Sequence, residues 1–206
     1  MSERREARSG TREAGSGKRG AEIRALDTRV TVVGGGLAGS EAAWQLASLG
    51  IDVTLREMRP VVSTPAHKTD RLAELVCSNT FKSTELTNAH GLLKAEMRLL
   101  GSMILEAADS ARVQAGSALA VDRDVFSASV TARIASEPRI SVVREEASIL
   151  DGPCIVATGP LTSDKLAEAI RARLGVGALA FYDAIAPIVA RESIDDSLVF
   201  RASRYG

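Results

Sequence analysis

Three groups of residues in this 206-residue sequence have the types and the spacing to do chemistry. The first is Gly34, Gly36 and Gly39, a G-x-G-x-x-G spacing that begins where the run Val30-Thr31-Val32-Val33 stops. Gly34 permits a tight turn, Gly36 lets the backbone approach a pyrophosphate, and Gly39 lets a helix pack close to a sheet. With Gly35, Leu37 and Ala38 between them, the amides of this turn face phosphate at a helix N-terminus. Glu57 stands twenty-one residues beyond Gly36, where a carboxylate accepts hydrogen bonds from an adenosine ribose. The competing reading is a glycine-rich packing turn with a solvated Glu57.

The second group is Ile155-Val156-Ala157-Thr158-Gly159-Pro160. NAD and FAD share the first motif, so a further signal must decide between them. A late strand ending in Ala-Thr-Gly resembles the second fingerprint of the two-dinucleotide-binding flavoproteins, which points to FAD with Thr158 and Gly159 beside it. Arg59, two residues after Glu57, fits a Glu-x-Arg pattern of several such flavoproteins and reads equally well as a surface arginine before Pro60. The third group is the polar pair of segments Thr64–Asp70, carrying His67, and Ala73–Asn79, carrying Cys77. They are too polar and too particular for an ordinary connection. Cys154 falls in a predicted strand and reads as a small core residue.

The elements that must position these groups follow from periodicity. Val30–Val33 reads as a buried parallel strand. Leu37, Ala38, Ala42, Ala43, Leu46 and Ala47 recur at helical spacing up to Gly50, which stands where a helix C-terminal glycine belongs, and Ile51–Leu55 reads as a second strand. Strand, helix and strand in so short a stretch make a βαβ unit with a parallel sheet. Further on, the pattern predicts one helix over Leu92–Ser110, with Leu92, Leu93, Met97, Leu100, Ile104 and Ala108 on its buried face. It also predicts a helix over Asp124–Ala135, strands over Ile140–Arg144 and Cys154–Ala157, and a helix over Lys165–Leu174. The fold class is therefore α/β, a Rossmann-like FAD-binding domain with a parallel sheet, of the two-dinucleotide-binding flavoprotein type.

Composition bounds what this domain does. Apolar residues make up 45% and charged residues 25%, with Lys+Arg and Asp+Glu equal at 26 each, so no global basic field draws the chain onto nucleic acid or membrane. The longest stretch without Asp, Glu, Lys or Arg is Gly152–Ser163, shorter than the ~18 residues of a membrane helix, so no membrane partner is expected. Two cysteines and two histidines exclude a disulfide framework and leave too few ligands for a Cys/His metal site; a reducing, cytoplasmic setting is expected. Residues 1–28 mix Arg and Glu with Gly and Ser and read as a disordered extension, leaving 29–206 as one FAD-binding domain with a functional excursion at 58–90.

The excursion identifies a family. VTVVGGGLAGSEAAWQLASLGIDVTLREMRP, TPAHKTD, AELVCSN, LLKAEM, ALAVDRDVF, VATGPLTS, FYDAIAPIV and the final SRY together resemble the TrmFO family of folate- and FAD-dependent tRNA uracil-5-methyltransferases. The resemblance implies methylation of the T-loop uridine of tRNA at C5. Its cofactors would be FAD and 5,10-methylenetetrahydrofolate, with NADPH or NADH as hydride donor. It also implies that Cys77 matches the first of the family's two functional cysteines. His67 sits where its imidazole could stack on folate or flavin, a plain loop histidine being the other reading. Asp122 and Arg123 either touch the cofactor or, for Asp122, cap a helix. The family's chains run past Gly206 and carry the second cysteine there, so the resemblance implies an N-terminal fragment, inactive alone and apparently truncated. The competing functions are a flavoprotein of the related class that modifies the tRNA wobble uridine, against which TPAHKTD and AELVCSN count, and a non-catalytic FAD- or tRNA-binding module.

Overall fold

The computed structural model describes residues 29–148, 150–175, 177, 194–195 and 197–199. The tail over 1–28 and the FYDAIAPIV and SRY motifs lie outside the described residues. Within them the fold is α/β, built on a parallel sheet in the order β6-β2-β1-β7. Strand β1 (Val30–Val33) is central, pairing on one side with β2 (Val53–Glu57) and on the other with β7 (Cys154–Val156); β6 (Ile140–Arg144) pairs with the outer side of β2. Helix α1 (Leu37–Ser48) makes the first crossover and ends where Gly50 takes a left-handed φ of 83°, as a C-terminal glycine should.

Strand β2 begins two residues later than the pattern predicts, because the Ile51 amide still closes the end of α1 by donating to the Leu46 carbonyl. The shift has a consequence for function. Side chains alternate along a strand, and Val53, Leu55 and Glu57 all fall on the buried face. Glu57 is therefore carried inward on the face that Val53 and Leu55 bury in the core, and ends at the carboxyl edge of the sheet.

The single helix expected over Leu92–Ser110 is two helices, α2 (Ala89–Leu99) and α3 (Met103–Ser110). Gly101 breaks it with a φ of 72°, and Ser102 restarts it by accepting the Leu105 amide. The break is pinned from outside: Glu41 of α1 accepts hydrogen bonds from the Ser102 hydroxyl and the Ile104 amide. The expected buried face splits accordingly. Ile104 and Ala108 are in the core, while Leu92, Leu93 and Leu100 are exposed.

Helix α4 (Arg123–Ser136) packs on α3, and Phe126, Val130 and Ile134 complete the main core with Val32, Leu55, Leu72, Met103 and Leu119. Helix α5 (Asp164–Leu174) places Leu166 against Val33 and Ala147 in a smaller second cluster. A feature absent from the pattern reading is a small antiparallel sheet of β3 (Thr80–Ser83), β5 (Ala118–Val121) and β4 (Arg112–Val113), in that spatial order. Lys82, at a φ of 65°, makes the irregularity between the Thr80 and Ser83 pairings. The buried Lys94 holds this sheet to α2 by donating to the carbonyls of Phe81 and His90. No helix among the described residues is long and apolar enough to cross a membrane.

Candidate functional site

The carboxyl edge of the parallel sheet opens into a cleft of about 170 Å³ lined by Gly34, Gly35, Gly36, Glu57, Arg59, His67, Val76 and Thr158, among others. It gathers seven of the twelve site residues expected from sequence. Leu37, Ala38 and Gly39 lie behind it in the first turn of α1; Gly159 begins the short 3-10 turn after β7, and Cys77 is exposed in a bend next to Val76. The volume is below the several hundred Å³ of most cofactor sites, enough for one end of a dinucleotide but not for the whole.

The three glycines are not equivalent. A Cβ at Gly39 would stand 1.8 Å from the Gly34 carbonyl oxygen, and one at Gly34, whose φ is 101°, would stand 2.8 Å from the Ala157 carbonyl oxygen. Those two are required by packing of the turn on α1 and on the residue after β7. At Gly36 a Cβ would meet nothing within 4 Å. The space above Gly36, which lines the cleft, is open.

Helix α1 also differs from its neighbours at its start. Asn88, Ser102, Asp122 and Ser163 each cap a helix by accepting an amide of its first turn, whereas Gly36 offers α1 no side chain. The first-turn amides of α1 have no intrahelical partner, and they carry the positive end of the helix dipole. Open space and uncapped amides together fit a phosphate. Asp122 caps α4 through the Asp124 and Val125 amides, and neither Asp122 nor Arg123 lines the cleft.

Glu57 is 5% exposed. Its Oε2 accepts the Gly35 amide at 2.8 Å, and its Oε1 accepts the Arg59 amide at 3.0 Å and the Arg59 Nε at 2.9 Å. A carboxylate has about four acceptor positions, so one remains on Oε2. Burial pushes the Glu57 carboxyl up, yet the Arg59 hydrogen bonds and charge and the Gly35 amide hold it below the ordinary value, so it is ionised. Arg59 is not at the surface: it is 2% exposed, and its Nη1 donates to the Thr69 carbonyl and to Glu74 Oε2 at 3.0 Å. Glu74, which the sequence reading passed over, also accepts the Lys68 and Thr69 amides and the Thr69 hydroxyl. Its carboxyl is pushed up by burial but held below its ordinary value by those donors and by the Arg59 charge.

The excursion is thus folded back onto the glycine turn. Ala73, at a φ of 52° and fully buried, donates its amide to the Gly35 carbonyl, and the Leu72 amide donates to Thr131 on α4. A left-handed non-glycine residue costs energy and persists only where its surroundings dictate it. His67 shares a 2.7 Å hydrogen bond between Nδ1 and the Thr64 hydroxyl. Burial and the Arg59 charge lower its pKa, which favours the neutral ring. Arg56 was also missed by the sequence reading. Its Nε is buried, lines the cleft without a hydrogen-bond partner, and lies 3.4 Å from Glu145 Oε1. Cys154 is half-buried beside the second cluster, and burial pushes its thiol up.

A cleft of this kind at the carboxyl edge of a parallel sheet, in the strand order outward from β1 seen here, defines a dinucleotide-binding type of fold. The chain belongs to the family described as glucose inhibited division protein A, whose model matches residues 29–206. Among curated proteins it is 60% identical over 179 residues to the Methylenetetrahydrofolate--tRNA-(uracil-5-)-methyltransferase TrmFO of Rhizorhabdus wittichii, covering 86% of this chain and 40% of that protein. The proteins of the same name from Anoxybacillus flavithermus and Aquifex aeolicus are 60% and 58% identical, covering 85% and 88% of this chain and 41% of each relative. The chain spans about two fifths of the length of these relatives. A crystal structure of a mutant of MHPCO overlaps at a TM-score of 0.35 and 19% identity, over 60% of this chain and 33% of that chain, too low a likeness to bear on the fold.

Proposed function

We propose that this chain forms the FAD-binding and first-cysteine part of an enzyme that methylates the T-loop uridine of tRNA at C5 with 5,10-methylenetetrahydrofolate. The observation that supports the reading is that Val76 lines the cleft while the next residue in sequence, Cys77, is an exposed thiol. Residues 29–206 are the FAD-binding domain, with 58–90 its functional excursion. The α1 amides of Leu37, Ala38 and Gly39 face the pyrophosphate, Gly35 and Gly36 floor its path, and Glu57 takes a ribose hydroxyl. Arg59 orients Glu57, and Thr158 and Gly159 border the site. When bound, a reduced flavin supplies the two electrons that separate a methylene from a methyl group.

Uracil C5 is a weak nucleophile until a thiolate adds at C6 and makes an enolate. In this reading Cys77 forms that sulfur–carbon bond. C5 then bonds to the donor's one-carbon unit and loses its proton to a base, the bond from that carbon to tetrahydrofolate breaks, and addition of a hydride turns the methylene into a methyl group as the thiolate is expelled and the ring restored. His67, neutral and oriented by Thr64, is placed to stack on a planar ring or to take a proton at Nε2. The relatives' names support folate and tRNA. The cytoplasm as location, and NADPH or NADH as the electron source, are parts of the same proposal.

The test has two arms. Titration of this chain with FAD should quench flavin fluorescence, and the absence of binding refutes the cleft assignment. Joined to the remaining length its relatives carry, the chain should transfer label from methylenetetrahydrofolate to unmodified tRNA. Cys77→Ser should abolish transfer while leaving FAD bound, because serine lacks the readily formed thiolate. Near-normal transfer by that variant would make Cys77 structural.

A further inference from the structure

Between the glycine turn and the cysteine-bearing bend lies a chain of three charges that neither flavin binding nor methyl transfer by itself demands. Glu57, Arg59 and Glu74 have side chains 6%, 3% and 13% exposed, joined by contacts of 2.9 and 3.0 Å. Burying three charges is costly unless each is paired and hydrogen-bonded, as all three are here. Here the cluster joins two parts of the site. Glu57 is at the end of β2 and touches the Gly35 amide. Glu74 holds the Lys68 and Thr69 amides, and follows Ala73, itself bonded to the Gly35 carbonyl. Two and three residues later come Val76 in the cleft wall and the exposed Cys77.

We infer that Glu74 is a positioning residue: through Arg59 it ties the Thr64–Cys77 segment to Glu57, so that a ligand on Glu57 tightens the segment carrying His67 and Cys77. The inference rests on the reading of the cleft as a dinucleotide site. The physical route is short. Both Arg59 bonds to Glu57 fall on Oε1, and the acceptor position left on Oε2 is the one a ribose hydroxyl takes. A donor there fixes the carboxylate plane and with it the guanidinium, whose Nη1 reaches Glu74 and the Thr69 carbonyl. Hydrogen bonds in such a chain strengthen one another. Arginine suits the role because its rigid plane spreads Nε and Nη1 to the two carboxylates, whereas a lysine would have to meet both from one mobile ammonium.

The experiment is backbone hydrogen exchange on this chain with and without saturating ADP, which reaches Glu57 but carries no isoalloxazine to lie against the segment. In the wild type, ADP should slow exchange across Thr64–Cys77 by roughly tenfold, the scale of one charge-assisted hydrogen bond. In Glu74→Gln, ADP should bind within a few-fold of the wild type, the segment should exchange faster, and ADP should no longer slow it. A variant that exchanges faster yet keeps the full ADP response would show that Glu74 is only a structural brace, and would overturn the inference. Should Glu74→Gln fail to fold, Arg59→Lys keeps the charge without the fork and should lose most of the ADP response; an undiminished response overturns the inference equally. Absence of ADP binding to the wild type, read by calorimetry, refutes the cleft assignment and the inference together. Binding with an unchanged response in the variants refutes the inference alone.

Discussion

In the parallel sheet Val32, Val53 and Leu55 are fully buried and backbone ladders run through β6, β2, β1 and β7, whereas the stretch between β2 and β3 is held mainly by side chains bonding to backbone. The first region is stabilised by removing apolar area from water, a non-directional term that tolerates small changes of shape. The second depends on a few donors and acceptors in fixed places, and each one removed strands another without a partner. The sheet provides an edge, and the excursion folds back on it to bring His67 and Val76 into the cleft wall. Substitutions in the two regions should therefore fail in different ways.

The sharpest break is Arg59→Leu, which leaves Glu57 and Glu74 buried without their common partner and should cost about 3–5 kcal/mol, read by denaturant unfolding at neutral pH. The pH dependence separates this from a packing defect. In the wild type both carboxyls lie below their ordinary value of 4.5 in the folded state, so their contribution is complete above that value and lost as pH falls through the lower folded values. In the variant Glu57 loses the side-chain hydrogen bond and the charge that oppose its burial, so its folded value rises, whereas Glu74 keeps the Lys68 and Thr69 donors and moves less; Glu57 therefore destabilises the variant more as pH rises. The deficit of the variant should accordingly shrink on going from pH 7 toward pH 4. A constant deficit would assign the loss to packing alone.

The glycine turn sharpens the same comparison inside one motif. Gly39→Ala drives a methyl group into the Gly34 carbonyl, 1.8 Å away, and should cost about 3 kcal/mol by overpacking, with a lowered melting temperature. Gly36→Ala meets no protein atom, so its melting temperature should match the wild type. Its methyl group stands in the path proposed for the pyrophosphate, and FAD affinity should fall roughly tenfold, about 1.4 kcal/mol. Full flavin affinity in a folded Gly36→Ala protein would remove the pyrophosphate from that path.

The sheet was legible in the sequence because its signals are local and periodic. The β-branched run of β1, the apolar spacing of α1, and Glu57 at the end of β2 each follow from a few neighbouring residues, and β6 has the bounds the pattern predicts. The excursion was legible only as a list of suggestive residues. Nothing local to Arg59 distinguishes a buried guanidinium from a surface one, since its burial depends on Glu74, fifteen residues on. Strand β3 was hidden for the same reason: Thr80–Ser83 has an exposed, polar pattern, and its partner β5 lies beyond two intervening helices. The break at Gly101 was misread because the apolar repeat runs on through it, while what fixes it lies in another helix: Gln45 donates to the Gly101 carbonyl, and Glu41 accepts from Ser102 and Ile104.

That break supplies the smallest effect and a direct check on where the core stops. A continuous helix over Leu92–Ser110 would bury Leu100 together with Ile104, one turn apart on one face. With the chain turned at Gly101, Ile104 is 4% exposed, while Leu99 and Leu100 are 88% and 77% exposed. A side chain that already meets water loses almost nothing on becoming polar. Leu99→Lys should therefore change unfolding free energy by less than about 0.5 kcal/mol, and lysine's good helix propensity keeps α2 intact. Ile104→Ala, by contrast, removes buried methyl groups next to α1 and α4 and should cost about 2–4 kcal/mol. Denaturant titration of the two variants side by side measures both. A large loss for Leu99→Lys would mean that α2 presents this face to a packed surface in solution, and would move the boundary between the apolar core and the polar excursion outward by a full helix.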